Sequence, residues 1–132
     1  MEKLVDKVIR LLKVNDDQSV LVFDTDDGAI VYETEGDCCS ETWFSDILNI
    51  SNIINETVIA VRKLELPDVE DDRSRQEYDR VYGFALDTKK GSCEVIFRNS
   101  SNGYYGGSID LRTLPIPEGM GLTTIGSDDW EA

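Results

Sequence analysis

Residues 19–34 read SVLVFDTDDGAIVYET, and this stretch decides the fold class. β-branched and aromatic residues dominate on both sides of Asp27-Gly28, as suits two strands on a pleated surface. Two such runs joined by Asp-Gly spell a β-hairpin, because a two-residue type I′ turn needs positive φ at both central positions. The run Asp24-Thr25-Asp26-Asp27-Gly28 resembles a calcium loop only superficially. Counted from Asp24, the glycine arrives one position early, and the flanks are strands instead of helices. A plain hairpin turn is the reading adopted.

Upstream, residues 5–12 are apolar-rich and precede Asn15-Asp16-Asp17, a turn signal. They read as an extended segment packed on the sheet, with a short helix as the alternative. Downstream, Gly36-Asp37-Cys38-Cys39-Ser40 closes the second strand. Ser40 is placed to cap a helix and Glu41 suits its first turn. Trp43, Phe44, Ile47 and Leu48 then recur at the spacing of one apolar helical face. A helix is therefore expected over residues 41–49, with a further turn at 51–54 and Asn55 as a left-handed C-cap.

Residues 57–66 read as a strand stopped by Pro67, and residues 68–79 as an exposed acidic loop. Residues 80–88 and 92–98 make a second hairpin around Lys89-Lys90-Gly91. Residues 99–103 form another turn cluster, and residues 104–114 the last strand, loosened by Gly106-Gly107. The sum is an α+β class: one domain over residues 1–118, with a mostly antiparallel, curved or barrel-like sheet of about six to seven strands and one main helix. Residues 119–132 are set apart as an acidic tail free to move, with Trp130 the residue able to dock it.

The chain has 132 residues, 40% of them apolar and 30% charged, which is enough apolar material for a core. Its 13 Lys+Arg against 27 Asp+Glu give a formal net charge of −14. Such a chain repels the nucleic-acid backbone and anionic membranes, so neither is an expected partner. There is no histidine, which removes Ser-His-Asp and Cys-His pairs and the usual zinc sites. No apolar run has the form of a signal peptide or a membrane span, so a soluble, cytoplasmic protein is expected. Three cysteines are an odd number, not a disulfide framework.

Two stretches stand out together: Asp37-Cys38-Cys39-Ser40, and Ser101-Asn102-Gly103-Tyr104-Tyr105-Gly106-Gly107-Ser108-Ile109-Asp110. In this order the pair resembles an uncharacterised family of small phage and bacterial proteins with a DCC-type and an SNGYY-type motif. The resemblance covers roughly residues 19–114. It implies a small β-rich fold and a phage or mobile-element setting. It supplies no reaction or cofactor, and suggests only that Asp37, Cys38, Cys39, Asn102, Gly103, Tyr104 and Tyr105 matter.

Cys38 and Cys39 at a helix N-terminus would have a lowered thiol pKa, yet Asp37 beside them opposes that, and no histidine can serve as base. Packing cysteines at a corner is the preferred reading. Three cysteines without CxxC spacing make a poor zinc site, so no metal or cofactor is expected. Paired carboxylates carry little signal, because 27 acidic residues bring some pair together by chance. The stretch 100–107 lacks the sequence of a P-loop, although Tyr104 or Tyr105 could stack on a ring. The candidate ligand-binding residues are Asp37, Cys38, Ser40, Asn102, Tyr104 and Tyr105.

The leading expectation is a non-enzymatic binding module, a small accessory protein of phage or mobile-element type. Its acidic face would meet a partner protein with a basic surface. Acidity has a plainer reading too, as a device for solubility. The alternative function is binding or sequestering a small molecule or nucleotide between residues 37–40 and 102–105. A Cys-dependent enzyme ranks last.

Overall fold

The computed structural model describes residues 1–36, 41–65, 69–70, 78–101, 107–112, 115–117, 119–126 and 129–131. Its strands are β1 (Val8–Asn15), β2 (Val20–Thr25), β3 (Gly28–Gly36), β4 (Glu41–Leu48), β5 (Glu56–Thr57) and β6 (Ala60–Glu65). They continue as β7 (Val69–Glu70), β8 (Tyr78–Thr88), β9 (Gly91–Ser101), β10 (Gly107–Leu111), β11 (Leu122–Ile125) and β12 (Trp130–Glu131). All pairings are antiparallel. One six-stranded sheet runs β10-β3-β2-β1-β11, with β5 also beside β1. The other runs β12-β4-β9-β8-β6, with β7 also beside β8.

The deciding hairpin forms, with its turn shifted by one residue. Thr25 pairs with Gly28, so Asp26-Asp27 is the loop, and within residues 26–28 only Gly28 has positive φ, at 100°. A type I′ turn would need two such residues. Thr25 Oγ1 donates to Gly28 O at 2.6 Å and accepts from Asp27 N at 3.1 Å, tying the turn off. The second hairpin repeats the device: Thr88 pairs with Gly91 (φ 144°), and Thr88 Oγ1 accepts from Lys90 N at 3.2 Å. A Cβ at Gly91 would lie 2.9 Å from Asn52 Nδ2, so a side chain there would displace the Asn52 amide as well as strain φ.

The expected helix over residues 41–49 is overturned, and with it the α+β class. That segment is β4, and among the described residues the only helical elements are two 3₁₀ turns, Glu2–Leu4 and Ile50–Asn52. The protein is nearly all β. A β-bulge explains the misleading spacing. Phe44 pairs with Phe97 and Asp46 with Ile96, leaving Ser45 as the extra residue. Residues three apart face opposite sides of a regular strand, but one inserted residue returns them to the same side. Phe44 and Ile47 are both fully buried as a result. β1 does the same, with Arg10 between the pairs Ile9–Thr25 and Leu11–Asp24, and Ile9 and Leu12 both buried. Asn55 takes the left-handed conformation expected of it (φ 60°).

A single core lies between the sheets. Leu12, Leu21, Phe23 and Tyr32 enter from the first sheet, and Phe44, Ile47, Leu86, Val95 and Phe97 from the second. Phe97 stacks on Tyr82 at 5.0 Å between centroids and meets Phe44 edge-on at 6.4 Å. The first sheet is covered on its outer face too: Val20, Val22 and Val31 pack under Ile116, Met120 and Leu122. The segment set apart as an acidic tail contributes two strands. β11 lies along β1 in the first sheet, and β12 along β4 in the second. Ile125 and Trp130 both pack against the common core.

Replacing Ile125 with alanine should lower unfolding free energy by about 2–5 kcal/mol, the usual range for truncating a buried isoleucine. Urea denaturation reads this directly. An unchanged midpoint would mean that β11 detaches in solution.

Candidate functional site

The two sequence motifs enter and leave the fold at paired residues. Gly36, which precedes Asp37-Cys38-Cys39-Ser40, pairs with Gly107, which follows residues 102–106. Glu41, after the first motif, pairs with Ser100, just before the second. Each motif connects one sheet to the other, and the ends that anchor them are hydrogen-bonded neighbours at one end of the sandwich. Asp37, Cys38, Cys39, Ser40, Asn102, Gly103, Tyr104 and Tyr105 themselves lie outside the described residues.

The same end carries a turn that sequence reading took as simple punctuation. Asn15 is its hub. Its Oδ1 accepts from Ser19 N and Val20 N, both at 2.9 Å, and its Nδ2 donates to Asp17 Oδ1 at 2.8 Å and to Ser19 Oγ at 3.0 Å. Short polar side chains satisfying nearby amides are the mark of an Asx-type turn, and the run Asn-Asp-Asp-Gln-Ser was the available signal. The Ser19 hydroxyl and amide, donating to Asp17, hold its carboxyl below the ordinary 3.8, so it stays ionised at neutral pH. Gln18, at φ 58°, turns its carbonyl to accept from Phe44 N at 2.8 Å. That bond joins the β1–β2 turn of one sheet to the outer edge of β4 in the other.

Along this junction runs an open cleft of about 480 Å³, lined among the described residues by Asp17, Gln18, Ser19, Glu41, Thr42 and Trp43. Two carboxylates, hydroxyl groups and an indole face one space, and none of those residues is basic. Behind the wall, fully buried Asn99 donates from Nδ2 to Thr42 Oγ1 at 2.9 Å, while its Oδ1 has no hydrogen-bond partner among the described residues. Sequence alone gave no hint of Asn99.

The remaining candidates are placed differently. Asp26 Oδ1 accepts from Val8 N at 3.0 Å, and Asp27 pairs with Lys7 at 2.7 Å, so these hairpin carboxylates fasten β1. Cys93 faces Leu86 in the core, and burial pushes its thiol up to about 12, which leaves it unreactive at neutral pH. It lies seven residues along β9 from Ser100 (~23 Å at strand rise), away from the motif end.

Residues 2–111 match the model of a family described as Domain of unknown function (DUF7448). The chain belongs to the DUF7448 family. Uncharacterized protein L278 of Acanthamoeba polyphaga mimivirus is 30% identical over 112 residues, covering 78% of this chain and 85% of that protein. No solved structure matches the chain. The resemblance read from the two motifs agrees with this at the level of a family without an assigned function. The DUF7448 match stops at Leu111, the last residue of β10, so β11 and β12 lie beyond it. Among the described residues, no helix is long and apolar enough to cross a membrane.

Asn15→Ala should cost about 1–3 kcal/mol, because it orphans the amides of Ser19 and Val20 next to the core. Differential denaturation of the two proteins measures it. A lowered carboxyl pKa gives stability that is present above the unfolded value and lost as pH falls through the folded one. Stability should therefore drop on acidification below pH 3.8, and Asp17→Asn should make that drop shallower. Urea unfolding repeated down to pH 2.5 (roughly one unit below a free carboxyl) follows both proteins.

Proposed function

We propose that this DUF7448 protein is a non-enzymatic, cytoplasmic binding module that holds a basic side chain of a partner protein in the cleft between the β1–β2 turn and β4. The observation that carries this reading is the cleft's composition: ionised Asp17, Glu41 and the Trp43 indole line it with no cation among the described residues. Arginine or lysine suits such a wall, through charge-assisted hydrogen bonds to the carboxylates and attraction to the aromatic face. Several cations elsewhere meet acidic partners, as in Arg62–Asp87, Arg112–Glu33 and Lys90–Glu56. Among the described residues the cleft's carboxylates have no such counter-ion. The surplus of acid over the whole chain supplies the long-range attraction that brings a basic partner in.

A synthetic arginine-rich peptide is a direct probe. Its affinity should fall at least tenfold between 50 and 500 mM salt (about 1.4 kcal/mol per tenfold). Trp43→Ala should weaken it several-fold, and Asp110→Asn, a charge change on β10 outside the cleft, should leave it unchanged. If Asp110→Asn weakens binding as much as Trp43→Ala does, the attraction is diffuse and the cleft is not the site.

The pairing of Gly36 with Gly107 favours a second reading, a small ligand held at this same end by the motif residues. That reading expects Asn102→Ala and Tyr104→Ala to abolish a ligand-induced rise in melting temperature while peptide binding survives.

A further inference from the structure

The side of the sandwich away from the β4 junction is open, between the two strands β10 and β6 that end their sheets there. A groove of about 680 Å³ runs along it. Tyr32, Val61, Phe84 and Ile109 form its floor, all packed on the common core, and Leu111, 39% exposed, stands at its rim. The volume falls in the range of small-ligand sites, and the wall is mainly apolar.

The charges around it are unusual for this chain. Lys63 sits on β6 directly opposite Phe84, on the strand face that looks into the groove, and Lys3 comes from the Glu2–Leu4 turn at its mouth. Among the described residues neither lysine makes an ion pair, although acidic residues outnumber basic ones by two to one in the sequence. Two acidic residues also line the groove. Asp110 alternates with Ile109 and Leu111 along β10, so it projects to the other face of that strand. Glu2 is the acid that shares the mouth with Lys3. The Tyr32 hydroxyl, its pKa pushed up to about 12 chiefly by burial, remains a neutral donor.

We propose that this groove binds a small amphipathic carboxylate, its apolar body lying over Tyr32, Val61, Phe84 and Ile109 and its carboxylate held by Lys63 with Lys3. The apolar floor supplies the affinity, and the two unpaired ammonium groups choose the sign of the head group. This site is separate from the cleft at β4 and does not depend on a basic partner being bound there.

The test compares three ten-carbon probes of equal tail length below their micelle-forming concentrations, at physiological salt: decanoate, decanol and decyltrimethylammonium. Backbone amide shifts of β6, β8 and β10 locate the site, and calorimetry gives affinity. Decanoate should bind at least tenfold more tightly than the other two. Lys63→Glu should remove that preference, whereas Lys89→Glu, the same charge change at a hairpin tip, should keep it. Leu111→Glu, at an exposed rim position that does not threaten folding, should weaken decanoate several-fold. Binding that ignores head-group charge would overturn the proposal, as would a Lys63→Glu effect matched by Lys89→Glu. A neutral extended peptide that pairs with the β6 or β10 edge where decanoate leaves the amides unmoved would make the groove a peptide site and equally refute it.

Discussion

Ser45 is the extra residue of β4, skipped in the pairing with β9, and the offset it introduces turns both Phe44 and Ile47 into the space between the sheets. Much else hangs on that offset. Phe44 meets Phe97, which in turn stacks on Tyr82 and Phe84, so one aromatic cluster ties β4, β9 and β8 together. The backbone of Phe44 is left facing the Gln18 carbonyl, and this bond closes one side of the sandwich. Without the bulge, every residue after it would change faces and Ile47 would leave the core.

The two sides of the sandwich differ in chemistry because they differ in closure. Where the β1–β2 turn meets β4, backbone and short polar side chains satisfy one another, and the surface left over is acidic and hydroxylated. Where β10 and β6 end their sheets, no strand pairing joins them among the described residues, and the Glu2–Leu4 turn and the margin of the core form the wall. A polar cleft and an apolar groove therefore arise from one topology. The dense hydrogen bonding around Asn15 gives the cleft fixed walls, and the sheet interiors give the groove a fixed floor.

The hairpins were legible because Gly28 and Gly91 punctuate runs of strand-forming residues, although the exact turn was not. A β-turn can shift by one residue while its glycine stays, and Thr25 and Thr88 decide the matter through hydroxyl bonds that no pattern of hydrophobicity displays. The segment 41–49 misled for a definite reason. Three-residue spacing is the signature of a helix, and a bulged strand copies it locally. The spacing in residues 5–12 carries the same ambiguity, and the structure resolves it, with β1 running Val8–Asn15. The site was legible only as two motifs in order. That their flanking residues pair depends on register between strands far apart in sequence, and Asn99 and the cleft depend on it too.

The last strands bear on how the chain is made. Synthesis is vectorial, and β11 and β12 emerge after the strands they pair with. Until they emerge, Leu12–Asn15 and the Asp46–Ile47 stretch of β4 each present an edge without its neighbour, and Val20, Val22 and Val31 lack the cover given by Met120 and Leu122. Open edges and bare valines are what nascent chains aggregate through. β11 and β12 thus act as a latch on strands made before them, and the nascent sheets stay open to their neighbours until both have docked.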